Sequence, residues 1–186
     1  MITALDKKTA LVLIDLQKGI VSYPTAHPIA GVLANAAKLV AAFRKAGQPI
    51  VVVNVDPGKN KALNTRKDAQ QRMGEIPAEW LEIVPEIQTN ADDVFITKHT
   101  WNAFADTALD DELKKRGVTG IVLAGVSTSI GVEGTARAAY ERGYNISFAT
   151  DAMTDMAAEA HEHSTKRVFP RVGEVGLTDE IIEQLN

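Results

Sequence analysis

Cysteine is missing from all 186 residues of this chain. Its absence excludes disulfides, thiolate metal sites and every mechanism built on a thiol nucleophile. A long apolar run is also missing: nothing approaches the roughly 18 residues of a membrane span, and the first eight residues lack the apolar core of a secretion signal. A cytoplasmic protein with no membrane partner is expected. Excess positive charge is lacking as well, with 20 Lys and Arg against 24 Asp and Glu and a net charge of −4. No basic field is available for duplex nucleic acid, so no nucleic-acid partner is expected. Neither an internal repeat nor a low-complexity tract is found. What is present, 45% apolar and 24% charged residues, suits a single domain over 1–186 with a full core.

Short aliphatic runs alternate with segments of helical period. Residues 9–15 (Thr-Ala-Leu-Val-Leu-Ile-Asp) read as a buried parallel strand whose carboxyl end carries Asp15 into a cleft. Residues 16–29 read as a loop, 32–46 as a helix stopped by Gly47, and 49–55 as a second strand. A third strand at 92–98 ends in Lys98, and a loop over 99–104 leads to a helix at 109–116 capped by Asp106 or Thr107. Strand 120–124, helix 132–142, strand 144–150 ending at Asp151, helix 157–169, strand 172–175 and helix 178–185 complete the series. This order predicts an open, parallel six-stranded α/β sheet with helices on both faces, a Rossmann-like three-layer sandwich.

Residues 56–80 show no period and are long for an idle connection. Between residues 59 and 72 this stretch holds five cations (Lys59, Lys61, Arg66, Lys67, Arg72) against one anion, Asp68. Two readings stand: a solvated loop, or a cationic lid or subunit-contact flap over an anionic substrate.

At 125–137 a strand turns into a helix with no spacer. Ser127, Thr128 and Ser129 are suited to cap it, placing backbone N–H groups over the sheet edge where an anion or oxyanion could bind. Gly125, Gly131 and Gly134 match neither a dinucleotide nor a phosphate loop. Three strand ends therefore converge: Asp15, Lys98 and this turn. An acid, a cation and helix-terminal donors suit hydrolysis at an oxygen- or nitrogen-linked carbonyl or enol.

These residues resemble the isochorismatase-like, or cysteine-hydrolase, superfamily. The motifs are Ala10-Leu-Val-Leu-Ile-Asp-Leu-Gln17, Thr97-Lys98 with Asn102-Ala-Phe104, the stretch 124–139, and Ala149-Thr-Asp-Ala152, in family order across the whole chain. Most of that superfamily places a cysteine nucleophile where this chain has Gly131. The resemblance therefore implies the glycine variant, which hydrolyses a vinyl ether with no covalent intermediate. In it Asp15 is the general acid and Lys98 positions Asp15 and a substrate carboxylate, while Gly131 marks the nucleophile place without a side chain. It further implies a cis Val126–Ser127 bond, substrate contacts from Gln17, Val126, Ser127, Thr128, Ile130, Trp101 and Phe104, and a homodimer or larger assembly. Trp101 and Phe104 are equally suited to packing. On Asp15 burial and Lys98 act in opposite directions, the first raising its pKa and the second lowering it.

No cofactor and no metal are expected. His27 and His99 stand alone in sequence, His99 with a position to touch substrate, and His161 and His163 are two apart on a helix and so on different faces. A silent binding protein and a water-driven amidase using Asp15 as base are the alternative readings.

Overall fold

The computed structural model describes residues 1–59, 65–68 and 75–185. Six parallel strands form one sheet: β1 (Thr9–Ile14), β2 (Ile50–Val55), β3 (Val94–Lys98), β4 (Gly120–Val126), β5 (Asn145–Thr154) and β6 (Glu174–Gly176). They lie in the order β3-β2-β1-β4-β5-β6. All six residues of β1 and all seven of β4 are buried, because helices cover both faces and leave no polar side to the strand. The helices are α1 (Lys18–Val21), α2 (Ile29–Lys45), α3 (Leu109–Lys115), α4 (Glu133–Glu141), α5 (Ala158–His163) and α6 (Thr178–Glu183).

Two apolar layers sandwich the sheet. Leu11, Leu13 and Val52 pack with Leu33, Leu39 and Phe43 of α2 and with Ile181 of α6. On the other face Val12, Ile14 and Ile96 meet Leu109 and Leu113 of α3 and Ala136 and Ala139 of α4. The strand order reverses direction between β1 and β4, so the crevice past their carboxyl ends is the place where open α/β sheets bind ligands.

Several boundaries differ from expectation. Residues 18–21, expected in a loop, form α1. The helix expected at 132–142 begins one turn early as a π-helical stretch, Thr128–Val132, before α4. The helix expected at 157–169 is α5 followed by another π turn, Ser164–Val168. Most consequential is β5, which runs past Asp151 to Thr154 across a register shift against β4 between Leu123 and Gly125. Asp151 consequently does not end the strand. Its carboxylate accepts the N–H and hydroxyl of Thr178, each at 2.8 Å, and the Asn35 amide at 3.1 Å. It thus fastens α6 and α2 to the sheet.

Neither expected cap at 106–107 is the cap residue of α3; that place is Ala108, although the Thr107 hydroxyl accepts the Leu109 N–H at 3.2 Å. Thr178, expected to cap the last helix, is its first residue, and the Glu180 carboxylate accepts the Leu177 N–H at 2.9 Å. Much of the lid or contact flap expected over 56–80, including Lys61 and Arg72, lies outside the described residues.

Candidate active site

Asp15 follows β1 with φ at 53°, the left-handed region that non-glycine residues rarely enter. Its N–H still pairs with the Val53 carbonyl oxygen at 2.9 Å, so the chain holds register while the side chain leaves the sheet. Lys98 ends β3, where alternate residues face inward, and it is only 2% exposed. Its Nζ donates to Asp15 Oδ2 at 2.8 Å and to the Thr100 carbonyl oxygen at 3.0 Å. Asp15 Oδ1 is buried and has no hydrogen-bond partner among the described residues. Burial raises the Asp15 pKa, the Lys98 charge and hydrogen bond lower it, and burial dominates: the carboxyl is pushed up from 3.8 to about 6.

Gly131 completes the constellation from the π turn. A Cβ built there would lie 3.2 Å from Asp15 Oδ2 and 3.7 Å from Lys98 Nζ, and only 2.9 Å from Ile14 Cγ2. Position 131 therefore faces the acid and the cation, and Ile14 fills the space a side chain would need. Thr135 holds this turn by donating its hydroxyl to the Gly131 carbonyl oxygen at 2.7 Å, while accepting the Ala103 N–H at 3.1 Å. That hydroxyl couples the turn to the loop carrying Trp101.

The other residues expected at the pocket separate into groups. The Val126–Ser127 peptide is cis; Val126 is fully buried and Ile130 is 39% exposed at the edge. Ser127, Thr128 and Ser129 do not cap the turn with their side chains. The Ser129 N–H donates to Asp155 Oδ2 at 2.7 Å, and the Ile130 and Val132 N–H groups to the Ser127 carbonyl oxygen at 3.2 and 3.1 Å. Three donors expected to face an anion are thus already taken. Thr128 is buried and its hydroxyl lies 2.9 Å from His161 Nδ1.

Gln17 is turned away from any ligand. Fully buried, its amide donates to the carbonyl oxygens of Val55 and Trp80 at 3.1 and 3.2 Å, and its oxygen accepts the Val55 N–H at 2.7 Å. Trp101 is 62% exposed against α4, while Phe104 is in the core, stacked at 5.9 Å on Tyr144. Phe104 thus takes the packing role.

Sequence reasoning missed Asp155, Thr135, Ile14 and the pairing of His27 with His161. Asp155 is 4% exposed and binds the Ser129 and Met156 N–H groups; the apolar continuation Ala152-Met153 past Asp151 was the available signal for a longer β5. His27, expected to stand alone, packs against His161 with ring centroids 4.6 Å apart and sets its Nδ1 2.9 Å from the Thr154 hydroxyl. Burial and the neighbouring His27 hold the His161 pKa below its usual range. His99 Nδ1 lies 3.0 Å from the Asp56 carbonyl oxygen. Among the described residues no group of three or more His, Asp or Glu is arranged to hold a metal ion, and no helix is long and apolar enough to cross a membrane.

A parallel sheet here brings a strand-end acid, a lysine two strands away and a glycine turn between β4 and α4 together in the crevice past the strand ends. The Isochorismatase domain family matches residues 9–180, and the chain belongs to the isochorismatase family of hydrolases. It is 46% identical over 182 residues to the isochorismatase family protein YwoC of Bacillus subtilis, covering 96% of this chain and 95% of that one. It is 39% identical to YecD of Escherichia coli O157:H7, covering 96% and 97%. The structure of an isochorismatase family protein from Burkholderia thailandensis superposes with a TM-score of 0.94 at 36% identity, over 100% and 99% of the two chains.

Proposed function

We propose that this chain hydrolyses the vinyl ether of a small enol-pyruvyl substrate bearing a carboxylate, with no covalent intermediate. The observation that carries the reading is Asp15 Oδ1: buried, unpartnered, and part of a carboxyl whose pKa is about 6. Such a group keeps its proton up to about pH 6, well above the usual carboxylate range, and has no acceptor for it among the described residues, which suits a general acid.

In the first step the Asp15 proton passes to the terminal methylene carbon of the vinyl ether. The electron pair of the double bond forms the new C–H bond, and positive charge is shared between the inner carbon and the ether oxygen. Water adds to that carbon and returns a proton to the Asp15 carboxylate. The resulting hemiketal breaks its C–O bond, the hydroxyl proton moves to the departing oxygen, and pyruvate and an alcohol are released. Lys98 holds the carboxylate that Asp15 becomes, and its third N–H, with no acceptor among the described residues, is available to the substrate carboxylate. Gly131 offers no nucleophile beside Asp15, which is why attack is assigned to water.

Incubation with isochorismate, followed by an assay for pyruvate, tests this directly. Pyruvate release by the parent chain and its loss in Asp15→Asn are expected. No pyruvate, or equal rates in the variant, overturns the mechanism, and ammonia released from small amides would replace it with amide hydrolysis.

A further inference from the structure

One hydroxyl ties together the two segments that flank Asp15. Building on the reading of Asp15 as general acid, we infer that Thr135 is its positioning residue: the Thr135 side chain fixes the gap between the turn at Gly131 and the loop that anchors Lys98.

The directions of the two hydrogen bonds leave this bridge no alternative arrangement. The Ala103 N–H can only donate and the Gly131 carbonyl oxygen can only accept. The Thr135 hydroxyl, 3.1 Å from the first and 2.7 Å from the second, therefore accepts from one and gives its proton to the other. A threonine bonded to the carbonyl one helical turn back is ordinary in a helix. One that also takes an N–H from 32 residues away in the chain is a tie between elements. Thr135 and Ala103 are both fully buried, so losing the hydroxyl strands a donor and an acceptor away from solvent.

Each end of the bridge reaches Asp15. On one side stands Gly131, where an added Cβ would lie 3.2 Å from Asp15 Oδ2. On the other, Ala103 shares a short loop with Thr100, whose carbonyl oxygen accepts Lys98 Nζ at 3.0 Å while the same nitrogen donates to Asp15 Oδ2 at 2.8 Å. That loop is braced: Asn102 Oδ1 accepts the Phe104 N–H at 2.7 Å. It also lies against bare backbone of α4, since a Cβ at Gly134 would be 3.4 Å from that of Trp101. Displacing the loop moves the carbonyl that aims the ammonium group, and displacing the turn opens the flank of the carboxyl.

Only a side chain that both donates and accepts closes this circuit. Serine keeps both functions, cysteine keeps them weakly, and valine has the shape of threonine with neither. Burial is the larger influence on the Asp15 carboxyl, holding it up at about 6, and Lys98 is the charged group that acts on it. Loosening the turn or the loop admits water to the carboxyl and lets its pKa fall.

Titration of the Asp15 carboxyl by 13C NMR in the substrate-free chain, with the resonance assigned by its loss in Asp15→Asn, is the test. Thr135→Val should lower the Asp15 pKa by about one unit, Thr135→Cys should lower it by less, and Thr135→Ser should keep the parent value. With isochorismate, the pH at which pyruvate release declines should move down in the same order. A parent-like carboxyl titration in folded Thr135→Val overturns the proposal, even if that variant is less stable to urea, because lost stability alone marks a structural role. An equal fall in Thr135→Ser and Thr135→Val overturns it too, since the hydroxyl would then not be the cause. Should Thr135→Val not fold, Thr135→Cys decides by the same criterion. The titration needs no turnover, so absence of pyruvate from the parent would overturn the vinyl-ether reading separately, with the carboxyl titration still deciding the role of Thr135.

Discussion

Lys98 engages only one of the two oxygens of Asp15. The ion pair at 2.8 Å uses Oδ2, and the other oxygen is buried without a partner among the described residues. A structural ion pair gains most when both carboxylate oxygens are satisfied, since the remaining lone pairs otherwise add desolvation cost. This half-satisfied pair holds the carboxyl in place while leaving it able to carry a proton.

The first prediction concerns pH. Asp15 titrates near 3.8 when unfolded and about 6 when folded, so between those values the folded chain keeps a proton that the unfolded chain has lost. The associated stability is full below the lower value and disappears as pH rises through the upper one, amounting to about 3 kcal/mol. Urea unfolding of the parent and of Asp15→Asn across that interval should show the parent losing stability relative to the variant as pH increases. Parallel curves would refute the raised pKa. Catalysis by the protonated form should likewise fall above about pH 6.

His161 predicts the opposite slope. Its pKa is lowered by burial first and by His27 second, so the unfolded chain takes up a proton more readily. Stability from the neutral ring is full above 6.5 and is lost as pH falls through the lower folded value. Imidazole NMR titration should place His161 below a solvent-exposed histidine, and His27→Gln should move it up towards the usual range. No movement in that variant would show that the ring contact at 4.6 Å is electrostatically inert.

Position 131 should resist a side chain. A methyl group there begins 2.9 Å from Ile14 Cγ2, and Ile14 is fully buried. Gly131→Ala is expected to destabilise by about 1–3 kcal/mol through overpacking. Combining it with Ile14→Ala should cost less than the sum of the two single changes, because the deletion frees the space that the insertion needs. Additive effects in denaturant melts would show that the two sites do not share that space.

Residues 16–19 should act as a clamp on the segment before β3. Val84 N–H donates to the Leu16 carbonyl oxygen at 3.1 Å and Lys18 N–H to that of Glu82 at 2.8 Å; Lys18 Nζ pairs with Glu79 and Glu82. A Cβ on Gly19 would fall 2.0 Å from the Trp80 indole. Gly19→Ala must therefore displace Trp80, seen as a shift of tryptophan emission, and Gln17→Leu should cost about 1–3 kcal/mol by stranding the backbone groups of Val55 and Trp80. Parent-like emission in Gly19→Ala would mean that the indole does not rest there.

Much of the architecture is legible in residue order. Aliphatic runs such as Ala10–Ile14 and Ile121–Ala124 have no polar face, and only a sheet covered on both sides buries them. Their alternation with helical periods dictates parallel pairing. The same reading brings Asp15, Lys98 and the 125–131 turn to one edge, since all three follow strand ends. Helix starts were less legible: Ser127, Thr128 and Ser129 have cap chemistry, but the backbone there enters a π turn whose donors go to Ser127 and Asp155. The end of β5 was misplaced because a register shift against β4 has no mark in composition.

The sequence alone therefore determined the strand ends and their chemistry, together with the absence of any thiol, because hydrophobic periodicity and residue identity act locally. Only the tertiary structure decided that Asp15 keeps one oxygen free, that Ile14 occupies the place beside Gly131, that Gln17 binds backbone, and that His27 meets His161. Each depends on distances of a few ångströms between segments far apart in the chain. Such contacts are set by how the layers pack, which no local pattern encodes.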